Sequence, residues 1–157
     1  MQAVADRAGV GLPALYRRWP SKVELVHAAV LARADYAELD PDAPFAEQLR
    51  AYVALVLRSF SEPARRVAIL ALLQNAAADP ELLTRLATAN APATASLFEA
   101  MITTAAARGE IAADADPEMM LTVIVGSALN TCLGFGVDDS GPFADQLTAF
   151  VLRAVAP

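Results

Sequence analysis

Residues 1–26 read MQAVADRAGVGLPALYRRWPSKVELV, and the fold is decided here. Two short helical segments meet at Ala8-Gly9-Val10, where Gly9 can take a positive φ without strain because it has no Cβ. Ala5, Val10 and Leu15 are spaced to pack the two segments against each other, as a helix-turn-helix requires. The second segment begins with a small-residue face, Gly11, Pro13 and Ala14, able to approach base edges closely. It ends in an aromatic and basic cluster, Tyr16-Arg17-Arg18-Trp19, and Pro20-Ser21-Lys22 opens a third helix. Arg17, Arg18 and Lys22 fall where phosphates would lie.

The run AVADRAGVGLPALYRRWPSKVELV, residues 3–26, resembles the second, third and fourth helices of a TetR-family transcriptional regulator. The elements that carry the resemblance are Ala-Gly-Val, then Leu-Tyr, then an aromatic-Pro-Ser-Lys and an acidic-Leu pair. Beyond this run the chain agrees with the family in layout rather than in motif. The resemblance implies that Gly11, Leu12, Pro13, Ala14, Tyr16 and Arg17 occupy the recognition helix and its start, with Tyr16 reaching phosphate or base through its hydroxyl. Lys22 would hold a phosphate together with backbone N–H groups. Arg17 or Arg18 would reach guanine edges or phosphates. Trp19 is expected to close the small core, whereas Tyr16 can show its polar tip to water. Family members carry one further helix before this point, so the sequence is expected to be a fragment of a longer protein, with Met1 not necessarily a translational start.

The rest of the chain reads as helix throughout. Alanine occurs 36 times in 157 residues, and long β-branched runs are scarce. Ser21 with Glu24 forms a capping box that starts a helix over about 22–37. Asp40-Pro41-Asp42-Ala43-Pro44 is a turn-forming connector. A helix over 45–61 follows, with Leu49, Tyr52, Val53, Val56, Leu57 and Phe60 on one stripe. Another is expected over 63–77. Asp79-Pro80 starts a long segment that Gly109 stops, with Pro92 expected to kink or split it near Ala91. Asp116-Pro117 starts a helix to about Leu133, and a final helix runs from Pro142 to about Val155. The expected organisation is an all-α chain: residues 1–37 form an incomplete helix-turn-helix head with its connecting helix, and residues 38–157 form an effector-binding and dimerisation domain.

Charge divides along the same line. Residues 1–33 carry a net +3 and residues 34–157 a net −9, giving the overall −6. A basic head on an acidic body suits a module whose larger part stays off the duplex. The single cysteine, Cys132, rules out an intramolecular disulfide and suits a cytoplasmic protein. His27 and Cys132 supply too few ligands for a metal site, and no cofactor motif is present. Met119–Val137 runs 19 residues without a charge. It is interrupted by Ser127, Asn130, two threonines and three glycines, so a buried helix suits it better than a membrane span.

Residues 119–133 are apolar nearly all round, so this helix needs two buried faces. Either the chain buries it centrally as a monomer, or a partner subunit covers one side. The resemblance implies the second: the last two helices pair with their copies in a homodimer, through Ile124, Ala128, Phe143, Leu147, Phe150 and Val151. It also implies a small-molecule effector seated among the middle helices, with operator DNA as the other partner. Expected lining residues are Tyr52, Val56, Phe60, Leu73, Gln74, Phe98, Met101, Ile102 and Asn130, an apolar set with a phenol and amides. Gln74, Asn75 and Asn130 are the more telling positions, because buried amides must find partners. Enzymatic chemistry finds no support: the pairs Asp114/Asp116 and Asp138/Asp139 lie in connectors, and no acid, base and nucleophile assemble. The expected function is a ligand-responsive repressor released from its operator by a small hydrophobic effector; the alternative is a ligand-sensing or interaction protein whose head no longer binds DNA.

Overall fold

A computed structural model describes residues 1–30, 39–134 and 141–157, and every regular element among them is a helix. Helix α1 (Gln2–Ala8) ends at Gly9, whose φ of 66° lets its own N–H bond back to the Ala5 and Asp6 carbonyls. The Val10 N–H closes on the Ala5 carbonyl at 3.1 Å, and α2 (Leu12–Arg18) begins after this turn. Ala5 and Leu15 are buried as expected. Val10 is not: it remains 44% exposed, because the left-handed turn spends its backbone on capping α1 and leaves its side chain on the outer side. Helix α3 (Lys22–Val30) is capped by Ser21, whose Oγ accepts the Glu24 N–H at 3.2 Å. Its expected continuation to Ala37 lies outside the described residues.

The chain forms two compact units, one of Met1–Arg33 with Val67–Asn90, the other of Ala34–Arg66 with Ala91–Pro157. The first holds α1 to α3, most of α5 (Pro63–Ala78) and the beginning of α6 (Pro80–Ala107). Within it α5 buries Ala68, Ile69 and Ala76. Helix α6 runs through Pro92 unbroken, so the expected split does not occur. A proline removes one helical hydrogen bond and crowds one carbonyl, which long alanine-rich flanks can absorb.

The second unit is built around α4 (Phe45–Ser61), whose Leu49, Tyr52, Val53, Val56 and Leu57 are buried in one cluster while Phe60 packs against it. It packs chiefly on α7 (Pro117–Leu129) and α8 (Gly141–Ala154). The distal part of α6 adds Phe98, Met101, Ile102 and Ala105 to the same core. Gly109, at φ 71°, stops α6 as expected, and the Glu110 N–H bonds the Ala105 carbonyl at 3.0 Å. Helix α7 passes at Asn130 into a π-helical turn, Asn130–Gly134, rather than continuing as α-helix to Leu133.

Asp116 starts α7 as its sequence position suggests. Its carboxylate accepts the N–H groups of Glu118 at 2.9 Å and Met119 at 3.2 Å. Asp116→Ala is expected to cost about 1 kcal/mol. The change should appear as a lower urea midpoint with an unchanged slope.

Candidate functional site

The head presents its polar groups along one edge of α2. Gly11 is the N-cap, in extended conformation with φ −68° and ψ 138°. Leu15 faces inward and is buried; Leu12 and Ala14 are half-buried; Pro13, Tyr16, Arg17 and Arg18 are exposed. Pro13, Tyr16 and Arg17 follow the i, i+3, i+4 spacing that places side chains on one helix face. Tyr16 is 47% exposed, the expected behaviour of a phenol that turns its tip to water. Trp19 is half-buried instead, and the Arg18 guanidinium sits 5.2 Å from its ring centroid. That cation–π contact draws Arg18 toward the end of α2 and leaves Arg17 as the arginine on the Tyr16 face. Lys22 is exposed at the first position of α3. Asp6 accepts a bond from Gln2 Nε2 at 2.8 Å. Burial lowers the pKa of His27 below its ordinary value, so it stays neutral at neutral pH and the positive charge of this edge rests on arginine and lysine.

Within the second unit a cavity of about 100 Å³ lies between the connector, α4 and α6, lined by Leu39, Pro41, Gln48, Tyr52, Leu97, Phe98, Ala100, Met101 and Thr104. Tyr52 and Phe98 form one wall, with ring centroids 4.9 Å apart and planes inclined at 42°. Of the residues expected to line an effector site, Tyr52, Phe98 and Met101 meet here. Val56 and Ile102 are spent in the core and Phe60 packs against it. Leu73 and Gln74 are exposed on α5, and Asn130 is exposed at the start of the π-helical turn. Asn75 is exposed as well, with its amide on the Ala71 carbonyl at 2.7 Å. The three amides singled out in the sequence are therefore solvated. Among the described residues the buried amide is Gln48, which periodicity missed because it sits beside the apolar stripe of α4 rather than on it. Its position four residues beyond a proline-ended connector was the available signal.

The face formed by α7 and α8 divides the expected dimer residues. Ile124 and Ala128 have no exposure and belong to the core of their own unit, so neither can touch a partner; the correction follows from α7 turning its Met120-Ile124-Ala128 stripe toward α4. Leu147 and Val151 are nearly buried and floor two shallow cavities of about 520 and 300 Å³. Val123 and Phe150 line both, and Phe143 lines the larger. Phe150 is 55% and Met119 60% exposed, so apolar surface is left facing outward. An alanine methyl at Gly126 would meet nothing.

Among the described residues no group of three or more His, Cys, Asp and Glu is placed to hold a metal, and no helix is long and apolar enough to cross a membrane. A glycine-turned helix pair with a basic outer edge, on a chain whose second unit holds a small apolar cavity, is the arrangement of a DNA-binding transcriptional regulator, and the family matches carry that class. The chain belongs to the TetR family. The family of bacterial regulatory proteins of tetR type matches residues 1–29, and the tetracyclin repressor-like C-terminal domain matches residues 41–151. A solved TetR transcriptional regulator from Streptomyces coelicolor is similar at 27% identity and a TM-score of 0.57, over 99% of this chain and 86% of that one. No curated protein gives a significant match. Members of this family bind DNA and are not enzymes.

Proposed function

We propose that this regulator is a homodimeric repressor, released from operator DNA when a small neutral molecule occupies the cavity of the second unit. The observation that carries the reading is the exposed Pro13-Tyr16-Arg17 face of α2, with Arg18 and Lys22 beside it. Gly11, Leu12, Pro13 and Ala14 would lie near base edges, and Tyr16 would donate its hydroxyl to phosphate or base. At the start of α3, Ser21 Oγ already takes the Glu24 N–H, so the Lys22 and Val23 N–H groups and the Lys22 ammonium are left for a phosphate. Residues 1–37 would serve as the DNA-binding part and residues 38–157 as the effector and dimer part, in the cytoplasm where the operator is accessible.

Dimerisation would cover Met119, Val123, Phe143 and Phe150 over the floor of Leu147 and Val151, with Gly126 and Ser127 admitting a partner helix closely. A two-fold pair of heads reads two half-sites spaced by helical turns of the duplex. The effector can act only through unequal affinity for the DNA-competent and released arrangements.

The test is fluorescence anisotropy on duplex DNA from the chain's own promoter, across a salt series. Binding that weakens steeply with salt and saturates at an even number of subunits per site is expected. Affinity no better for promoter than for random duplex would refute the reading. Narrowing the cavity by Met101→Phe should blunt release by effector about tenfold while DNA affinity stays within twofold, as a shift confined to one binding equilibrium predicts. An unchanged effector response would place the effector elsewhere.

A further inference from the structure

The Asp40–Pro44 connector is fastened to the second unit by polar bonds, and one of the side chains involved is also part of the cavity wall. Gln48 Nε2 donates to the Pro41 carbonyl at 3.2 Å and to the Ala43 carbonyl at 2.6 Å. Arg108 also donates to the Ala43 carbonyl, at 3.5 Å, and the Phe45 N–H donates to the Glu110 carboxylate at 2.6 Å. Leu39 and Pro41 form the connector side of the cavity, and Tyr52, Phe98 and Met101 the core side.

The cavity holds about 100 Å³. Benzene occupies an engineered apolar cavity of about 150 Å³, and ordinary ligand pockets run from roughly 300 Å³ upward. A molecule of effector size must therefore widen this space. The core side resists, because Tyr52 and Phe98 are almost wholly buried in close-packed surroundings. The connector side is held by hydrogen bonds whose net worth is small, since water replaces them on release. Pro41 is itself exposed, so its freed carbonyl would meet water directly.

We propose that Gln48 is the latch of this cavity. The effector is a compact, uncharged molecule with an apolar body and one hydrogen-bond acceptor. It binds by taking the Gln48 Nε2 hydrogen now given to Pro41, and the connector lifts. Both Nε2 hydrogens are committed to connector carbonyls, so an acceptor on the ligand competes with the connector and a ligand without one does not. The bond to Pro41 is the one displaced, because at 3.2 Å it is weaker than the 2.6 Å bond to Ala43 and the exposed Pro41 carbonyl can turn to water. Charge is disfavoured because, among the described residues, no charged side chain lines the cavity to repay its desolvation. The biological consequence rests on the repressor reading above; the latch itself is measurable without DNA.

The test uses the full chain with two ring probes of similar size, cyclohexanone and cyclohexane, read by ligand-observed NMR and by amide hydrogen exchange. Cyclohexanone should lose about tenfold in affinity in Gln48→Met, the worth of one hydrogen bond, where cyclohexane changes within twofold. In the unmodified protein it should also speed exchange at Asp42 and Ala43, whose N–H groups bond within the connector. In Gln48→Met those amides should exchange fast without any probe. No binding of cyclohexanone, unchanged exchange when it binds, or exchange sped equally by cyclohexane would each overturn the proposal in the unmodified protein, whatever the variant does. Undiminished cyclohexanone affinity in a folded Gln48→Met would do the same. Loss of promoter binding without probe would count against the repressor reading and leave the latch measurements standing.

Discussion

Ile124→Glu is expected to leave no folded protein, whereas Phe150→Glu should leave a folded monomer. Ile124 has no exposure and lies in the cluster that joins α4, α6, α7 and α8. A glutamate there either carries an unpaired charge in an apolar core or binds a proton and still buries an unsatisfied carboxyl. The cost, at least about 4 kcal/mol, is comparable to the whole stability of a domain this size. Far-ultraviolet circular dichroism should lose its helical signal near room temperature. Phe150 points outward from α8 and contributes little to the core of its own chain. Its replacement should change stability within about 0.5 kcal/mol, while a two-fold contact would bring two carboxylates together and desolvate both. Light scattering after gel filtration should report half the mass of the parent. A folded Phe150→Glu of unchanged mass would move the interface off this face.

The contrast between those two residues shows where sequence reading stops. Asp116, Gly9, Gly109 and Ser21 were legible because caps and turns are local: one side chain or one positive φ decides each of them. The α4 stripe was legible because its amphipathic period is strong. Helix α7 was not, since a helix apolar on all sides has no period to say which face meets the core. Only packing against α4 assigns Ile124 inward and Met119 outward. Val10 failed for a related reason: spacing along the chain ignores the reversal that Gly9 imposes. In the cavity, Tyr52, Phe98 and Met101 were found by apolarity, yet Gln48 was not, because its role depends on carbonyls five and seven residues away in a non-repeating connector.

Arg17→Ala and Lys22→Ala should weaken DNA binding in different ways. Both side chains are exposed at the outer edge of the head, and each appears twice in a dimer. Lys22, exposed at the start of α3, is proposed to hold a phosphate. Its loss should lower affinity alike for promoter and random duplex, and each phosphate contact contributes about 0.9 to the dependence of log affinity on log salt, so the slope should fall by about 2. Arg17 shares the Pro13-Tyr16 face, while Arg18 is drawn over the Trp19 ring at 5.2 Å. We therefore propose Arg17 as the arginine that reads a guanine edge, where a bidentate contact discriminates by about 1–3 kcal/mol at each half-site. Arg17→Ala should cost promoter affinity a hundredfold or more while random duplex loses only its electrostatic share, so the ratio of the two collapses. Arg18→Ala should leave that ratio nearly intact. If Arg17→Ala instead lowers both affinities equally, Arg17 is a phosphate contact and the base reading passes to other residues of α2, with Arg18 then the first to substitute.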